Sequence, residues 1–344
     1  MDLVLTPFLI AALLAGLYMA WNIGANDVAN AMGTSVGSRA ITLRQAVIIA
    51  AVFEFGGAVI FGKQVTETIR KGIVDPGEIA SPEVLAYGAL AALLAAGMWL
   101  TIATWAKLPV STTHSIVGAM AGFGIAAYGT GVVNWDKMGK IVASWVVSPI
   151  AGALVAFLLF TAMRHLLLKK VEDRQRVERI FGKFQIATAC FVAFAHGSND
   201  VANAVGPLAA ALTFSQGESV EVASRLPVPK WLLAFGGFGI VIGLATWGYR
   251  VMGTIGERVT QITPTRGFTA EFSAASIVLA NSQIGMPIST THTLVGSVIG
   301  VGLARGIKAL DLKIIRDIIL SWLATVPSAA LVAAIIFKLL MYLR

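Results

Sequence analysis

The sequence predicts an all-α integral membrane protein built from two inverted-topology repeats with broken helices or re-entrant hairpins. Three observations lead there. The 344 residues are 57% hydrophobic and only 13% charged, with a mean hydropathy of +0.79, where a soluble chain carries about a quarter charged residues. Long apolar runs recur near 40–62, 84–106, 139–163, 184–195, 231–249 and 313–343, and about 20 apolar residues cross the hydrocarbon core as a helix. Four blocks of sequence occur twice in the same order.

Helices are required because lipid satisfies no backbone polar group. The opening MDLVLTPFLIAALLAGLYMAW lacks a basic start and an A-x-A cleavage site, so it is expected to be a retained first span rather than a signal peptide. The single cysteine, Cys190, lies inside an apolar run and excludes a disulfide framework. Trp135 and Trp231 stand near run ends, where aromatic rings anchor at the interface, and Lys107 is expected to snorkel to it.

The net charge of +8 points to orientation rather than to nucleic acid. Segment 164–183 holds seven Lys and Arg, and basic loops stay cytoplasmic. With the other basic loops (Arg39 and Arg44; Arg250, Arg258 and Arg266; Arg305 to Arg316) on the same side, the N-terminus falls outside and each half crosses an odd number of times. The expected organisation is a first repeat at 1–163, a cytoplasmic loop at 164–183 and an inverted second repeat at 184–344. The expected setting is the cell inner membrane, with lipid as the surrounding partner.

GANDVANA at 24–31 returns as GSNDVANA at 197–204, and LPVSTTHSIVGAMAGFG at 108–124 as MPISTTHTLVGSVIGVG at 286–302. FGGAVIFG at 55–62 resembles FGGFGIVIG at 235–243, and SWVVSPIAGALVAF at 144–157 resembles SWLATVPSAALVAA at 321–334. An odd crossing count makes the second copy inverted, an architecture common in secondary transporters.

A carboxylate inside a membrane is costly unless it meets a partner, so Asp27 and Asp200 are functional candidates by default. With Asn26, Asn30, Asn199 and Asn203 at helical spacing they offer oxygen ligands for a hard cation. The plainer reading is that asparagines glue helices together; two copies with the same Asp spacing favour a site. In each P-[VI]-S-T-T-H block, proline excludes its predecessor from the helix and serine is a natural N-cap. Ser111, Thr112, Thr113, Ser289, Thr290 and Thr291 then line two helix N-termini as an anion cradle, with His114 and His292 as accessory donors. The plainer reading here is hydroxyls back-bonded within a helix.

Charge balance connects the motifs. Two aspartates and a bound divalent anion exceed the roughly one charge that two helix N-termini offset, so co-bound cations are required. Glu54 and Glu271 lie outside the symmetry, opposite Ala234 and Leu93; each either lines the ion path or pairs with a Lys or Arg. His196, opposite Ile23, is expected to be accessory. Two alternatives remain open. An aspartyl protease dyad leaves the doubled S-T-T-H unexplained, and a channel needs a continuous polar lining.

The doubled GANDVANA and P-[VI]-S-T-T-H blocks resemble the inorganic phosphate transporter (PiT) family across both halves. The resemblance implies a carrier, not an enzyme, that imports phosphate with sodium by alternating access and needs no resident cofactor. Asn26, Asp27, Asn199 and Asp200 become sodium-site candidates, and the serines and threonines phosphate-site candidates. Eukaryotic relatives carry a long central loop, whereas this chain has about twenty residues there. Some bacterial relatives are proton-coupled, so the coupling ion stays open, as does the oligomeric state, a homodimer included.

Overall fold

A computed structural model describes residues 2–75, 79, 81–106, 108, 110–168, 172–212, 227–248 and 262–343, with the side chains of 2–6 and 28–30 left aside. Twelve α-helices stand among these residues, and no strand. α1 (Asp2–Ile23) runs through a π-helical turn (Gly24–Val28) into α2 (Ala29–Gly37). α3 (Leu43–Phe61) starts on a capping box between Thr42 and Gln45, α4 (Lys63–Gly72) is short and amphipathic, and α5 (Pro82–Trp105) is a long apolar rod. α6 (Thr112–Tyr128) and α7 (Trp135–Met163) complete the first half. The second comprises α8 (Arg174–Leu212), α9 (Lys230–Trp247), α10 (Pro264–Gln283), α11 (Thr290–Arg305) and α12 (Leu312–Leu343). Among the described residues, seven segments are long and apolar enough to cross a membrane. Trp135 and Trp231 are exposed at the starts of α7 and α9; Lys107, Arg250 and Arg258 lie outside the described residues.

One departure from the sequence reading and one choice it left open concern breaks. The first Asn-Asp motif sits on a π turn, a device found often at functional sites, but the second lies inside one uninterrupted 39-residue helix. The S-T-T-H blocks take the hairpin form rather than that of a collinear broken span: α5 packs back along α6, and α10 along α11. Each hairpin tip carries its serine as the N-cap, Ser111 accepting from the His114 amide and Ser289 from the His292 amide, both at 3.2 Å.

The halves interlock. α6 packs on α12 and α11 on α7; α3 packs on α8 and α9 on α1. Glycines make these approaches possible. A Cβ at Gly122 would lie 2.2 Å from the Ala330 carbonyl oxygen, and one at Gly300 would lie 2.1 Å from that of Ala153. The same holds for Gly24 against Ile240 at 1.9 Å and for Gly197 against Glu54 at 2.1 Å. The last pair corrects the sequence alignment of α3 with α9. Glu54 stands against Gly197 as Ile240 stands against Gly24, so the structural counterpart of Glu54 is Ile240, not Ala234. The shared FGG letters drew the alignment more than a turn out of register, because an apolar helix presents many near-equivalent registers.

Candidate functional site

The two asparagine–aspartate motifs and the two hairpin tips meet in one buried centre. Asn26 donates through Nδ2 to Thr104 Oγ1 (2.9 Å) and the Leu108 carbonyl (3.2 Å). Asn199 donates to Ser282 Oγ (3.0 Å) and the Met286 carbonyl (3.2 Å). Each amide thus ties its helix to the loop leading into a hairpin tip, in matched fashion. Asn203 donates to the hydroxyls of Thr112 (3.1 Å) and Thr113 (3.2 Å) across the halves. The Asn30 side chain lies outside those described.

The carboxylates occupy the hydroxyl cradle. Thr112 donates to Asp27 Oδ2 at 2.6 Å, and Thr291, from the opposite hairpin, donates to Asp27 Oδ1. Thr290 donates to Asp200 Oδ2 at 2.9 Å. Thr113 instead donates to the Ile288 carbonyl at 3.0 Å, joining one hairpin tip to the other. The cavity beside Asp27, His196, Thr290 and Thr291 is about 10 Å³, room for about one water-sized sphere. Carboxylates and hydroxyls are therefore in direct contact.

The candidate cation ligands fit a hard cation in one respect. With their nitrogens engaged, Asn26 Oδ1, Asn199 Oδ1, Asn203 Oδ1 and Asp200 Oδ1 are buried without a hydrogen-bond partner among the described residues. Buried acceptors are rarely left so, and carbonyl and carboxylate oxygens are the ligands hard cations take. Asp27, His196 and Asp200 also bring one ligand atom each within 4.8 Å of one another.

His196 is the residue that sequence reasoning undervalued. Its Nδ1 is 2.8 Å from Glu54 Oε2, and its Nε2 is 2.9 Å from Asp200 Oδ2, though poorly aligned for a hydrogen bond. Glu54 is thus partnered by a histidine of the other half, not by the Lys or Arg considered from sequence. Glu271 has another setting. It accepts from Thr34 (2.6 Å), Ser35 (2.5 Å) and Gln185 (3.1 Å) on Oε1 and from Thr188 (2.7 Å) on Oε2. The run GTSVGS after the first motif was a signal for Thr34 and Ser35; nothing nearby marked Gln185 or Thr188.

The histidines of the S-T-T-H blocks turn away from the carboxylates. His114 stacks on Trp145 (centroids 3.7 Å apart) and His292 on Trp322 (3.4 Å), and the imidazoles meet edge to face at 4.3 Å. They line an apolar cavity of about 520 Å³ between α7 and α12, which sets them apart from the hydroxyls they were expected to assist.

Seven candidate spans among the described residues, a buried centre of paired carboxylates and hydroxyls, and hairpins meeting tip to tip define a multi-pass membrane transporter. Residues 23–333 match the phosphate transporter family, and the chain belongs to that family. A Pyrococcus horikoshii protein provisionally named a phosphate permease is 48% identical, over 97% of this chain and 98% of its own. The Arabidopsis thaliana protein named inorganic phosphate transporter 2-1, chloroplastic, is 43% identical over 94% of this chain and 71% of its own. A solved structure titled the sodium-dependent phosphate transporter superposes with a TM-score of 0.89 at 40% identity, covering 98% of this chain and all of that one. Transport, not enzymatic chemistry, is what the family does, which removes the protease alternative.

Proposed function

We propose that the protein imports inorganic phosphate coupled to sodium by alternating access, with the buried centre as the shared site. The carrying observation is that aspartates and hairpin threonines, assigned from sequence to cation and anion respectively, contact each other directly. A threonine hydroxyl donating to an aspartate cannot give that hydrogen to phosphate. Sodium held by Asp27, Asp200 and the unpartnered oxygens of Asn26, Asn199 and Asn203 draws the carboxylates off the threonines. Thr112, Thr290 and Thr291 then donate to the anion, aided by the helix N-termini capped by Ser111 and Ser289. Phosphate without cations would meet two like charges, so neither binds well alone. That is symport written as electrostatics.

The solved neighbour's title, sodium-dependent, supports this choice of ion. A second reading is proton coupling, favoured by the run of titratable groups from Glu54 through His196 to Asp200. Proteoliposome uptake of labelled phosphate with sodium and proton gradients imposed separately decides between them. Accumulation in sodium medium and none in choline supports sodium. Equal uptake in both media, driven by a proton gradient, leaves phosphate standing and overturns sodium.

The inverted organisation, 1–163 and 184–344 about a cytoplasmic loop at 164–183 in the inner membrane, belongs to the same proposal. Taking both hairpins as re-entrant leaves three long crossings per half. Cysteines at 75 and at 218, the latter outside the described residues, should both label from outside. Labelling from inside alone at either would break the inversion.

A further inference from the structure

Four threonines at the hairpin tips form two pairs related by the internal repeat, and only one pair is matched in its contacts. Thr112 and Thr290 each donate to the aspartate of their own half, at 2.6 Å to Asp27 and 2.9 Å to Asp200. Thr113 and Thr291 differ. Thr291 crosses to Asp27 of the other half, whereas Thr113 crosses to a neutral acceptor, the Ile288 carbonyl, at 3.0 Å. Building on the alternating-access reading above, we propose that Thr113 and Thr291 exchange partners between the two faces of the cycle. In the opposite-facing state Thr113 donates to Asp200, and Thr291 donates to the carbonyl of Val110, the counterpart of Ile288.

Inversion gives the exchange its physical basis. A half-turn about an axis in the membrane plane swaps the two repeats and also the two sides of the membrane. Exchanging the conformations of the repeats therefore turns a state facing one side into a state facing the other. An asymmetry between equivalent residues then tells which way the molecule faces, and the small cavity agrees. It lies beside Asp27 among Ala31, Val192, Ala274, Val278 and Leu294. Three of these stand one helical turn from Thr34, Thr188 and Glu271, so the cavity points to the Glu271 side of the centre. By the repeated blocks, the counterparts are Ala204, Met19, Ala96, Leu100 and Ile116, each at most 1% exposed. In the opposite-facing state the opening runs among these five residues, beside Asp200.

Energies give the two hydroxyls opposite effects. A hydroxyl donated to a carboxylate contributes more than one donated to a neutral carbonyl. Thr291 therefore stabilises the state described here more than the opposite one, and Thr113 does the reverse. Thr113 also replaces Thr291 among the donors offered to the anion on the far face. His196 beside Asp200 answers to Ile23 beside Asp27, so the two states differ in energy. The hydroxyl assignments are untouched by that difference, because both repeats keep the aspartate and both threonines.

The test uses the full chain carrying Cys190→Ala in membranes of known orientation, with one reporter for each face. Ala274→Cys reports on the Asp27 side and its counterpart Ala96→Cys on the Asp200 side; Val278→Cys and Leu100→Cys form a second pair should either alanine position reject cysteine. A membrane-impermeant maleimide applied to each side gives a labelling rate through each face. Thr291→Val should raise the Ala96→Cys rate relative to the Ala274→Cys rate by about tenfold, and Thr113→Val should lower it by about tenfold. That factor is the difference between a hydrogen bond to a charged group and one to a neutral carbonyl. Shifts in the same direction in both variants, or no shift in either, would overturn the exchange alone. A parent that labels at only one of the two reporters would overturn the alternating-access reading together with it. The rates are read without phosphate or a sodium gradient, so the choice of substrate and ion does not enter the result.

Discussion

Two regions related by the internal repeat have taken opposite chemistries. On one side Glu271 lies among Thr34, Ser35, Gln185 and Thr188, every partner donating to its carboxylate. By the alignment of the repeated blocks, the matching positions are Leu93, Pro207, Leu208, Ala12 and Ala15, all buried. Likewise Glu54 and His196 face each other where the other side has Ile240 and Ile23, both fully buried. The backbone duplicates and the interior polarity does not. A buried leucine exchanges lipid contacts for protein packing and leaves no polar group unsatisfied, whereas a buried carboxylate is tolerated only through its donors. The apolar side therefore acts as scaffold, and the polar side has a use that outweighs its desolvation.

The sharpest way to break this comparison is to write one side onto the other. Glu271→Leu installs the residue of the matching position and strands three hydroxyls and an amide. It should destabilise the protein by about 3 kcal/mol or more, since each buried donor left unsatisfied costs about 1–3 kcal/mol, and abolish uptake. An unchanged melting temperature with normal uptake would show that the two sides are interchangeable.

Next in size come Asp27→Asn and Asp200→Asn, both inside the symmetric part. Each should weaken sodium dependence, and by linkage weaken phosphate binding at fixed sodium by the same factor, about ten- to a hundredfold for lost charge-assisted hydrogen bonds. Isothermal titration with each ligand at fixed concentrations of the other checks both statements. A smaller loss follows from Thr112→Val and Thr290→Val, which keep shape and remove one donor apiece. Phosphate affinity should fall by roughly 1–3 kcal/mol in either variant, and unchanged binding in both would reduce the threonines to helix packing.

The smallest effect lies outside the paired regions. Burial pushes the Glu67 carboxyl up, but Lys71, Arg70 and the Val228 amide hold it below its ordinary value. Its contribution is therefore present near neutral pH and lost as pH falls through the carboxylate range. Glu67→Gln should lower stability by about 1 kcal/mol or less, since the group is 23% exposed and partly screened. The difference from the parent should hold from pH 7 down to about 5 and close only as pH falls below the ordinary glutamate value of 4.5, in thermal unfolding.

Much of this arrangement was legible in the letters. Run lengths marked the spans, and proline followed by serine marked both hairpin tips with their caps. The repeated aspartates marked the centre. Partnerships between halves were not legible, because Glu54 finds His196, and Glu271 finds Gln185 and Thr34, only when helices far apart in sequence pack together. The histidines of the S-T-T-H blocks misled for a related reason. Adjacency to hydroxyls in sequence says nothing about direction, and half a helical turn carries an imidazole to the opposite face, where Trp145 and Trp322 receive it. Lone apolar similarity misled at α3, where only the glycine contacts reveal the true register.

The crosswise packing bears on how the chain is made. α6 finds its seat on α12 and α3 finds its seat on α8, helices synthesised well after them. The first half therefore waits in the bilayer with its glycine faces against lipid until the second arrives, and it cannot mature as a finished unit. A chain severed within 164–183 should yield two fragments that are short-lived when expressed singly and that rescue each other when expressed together.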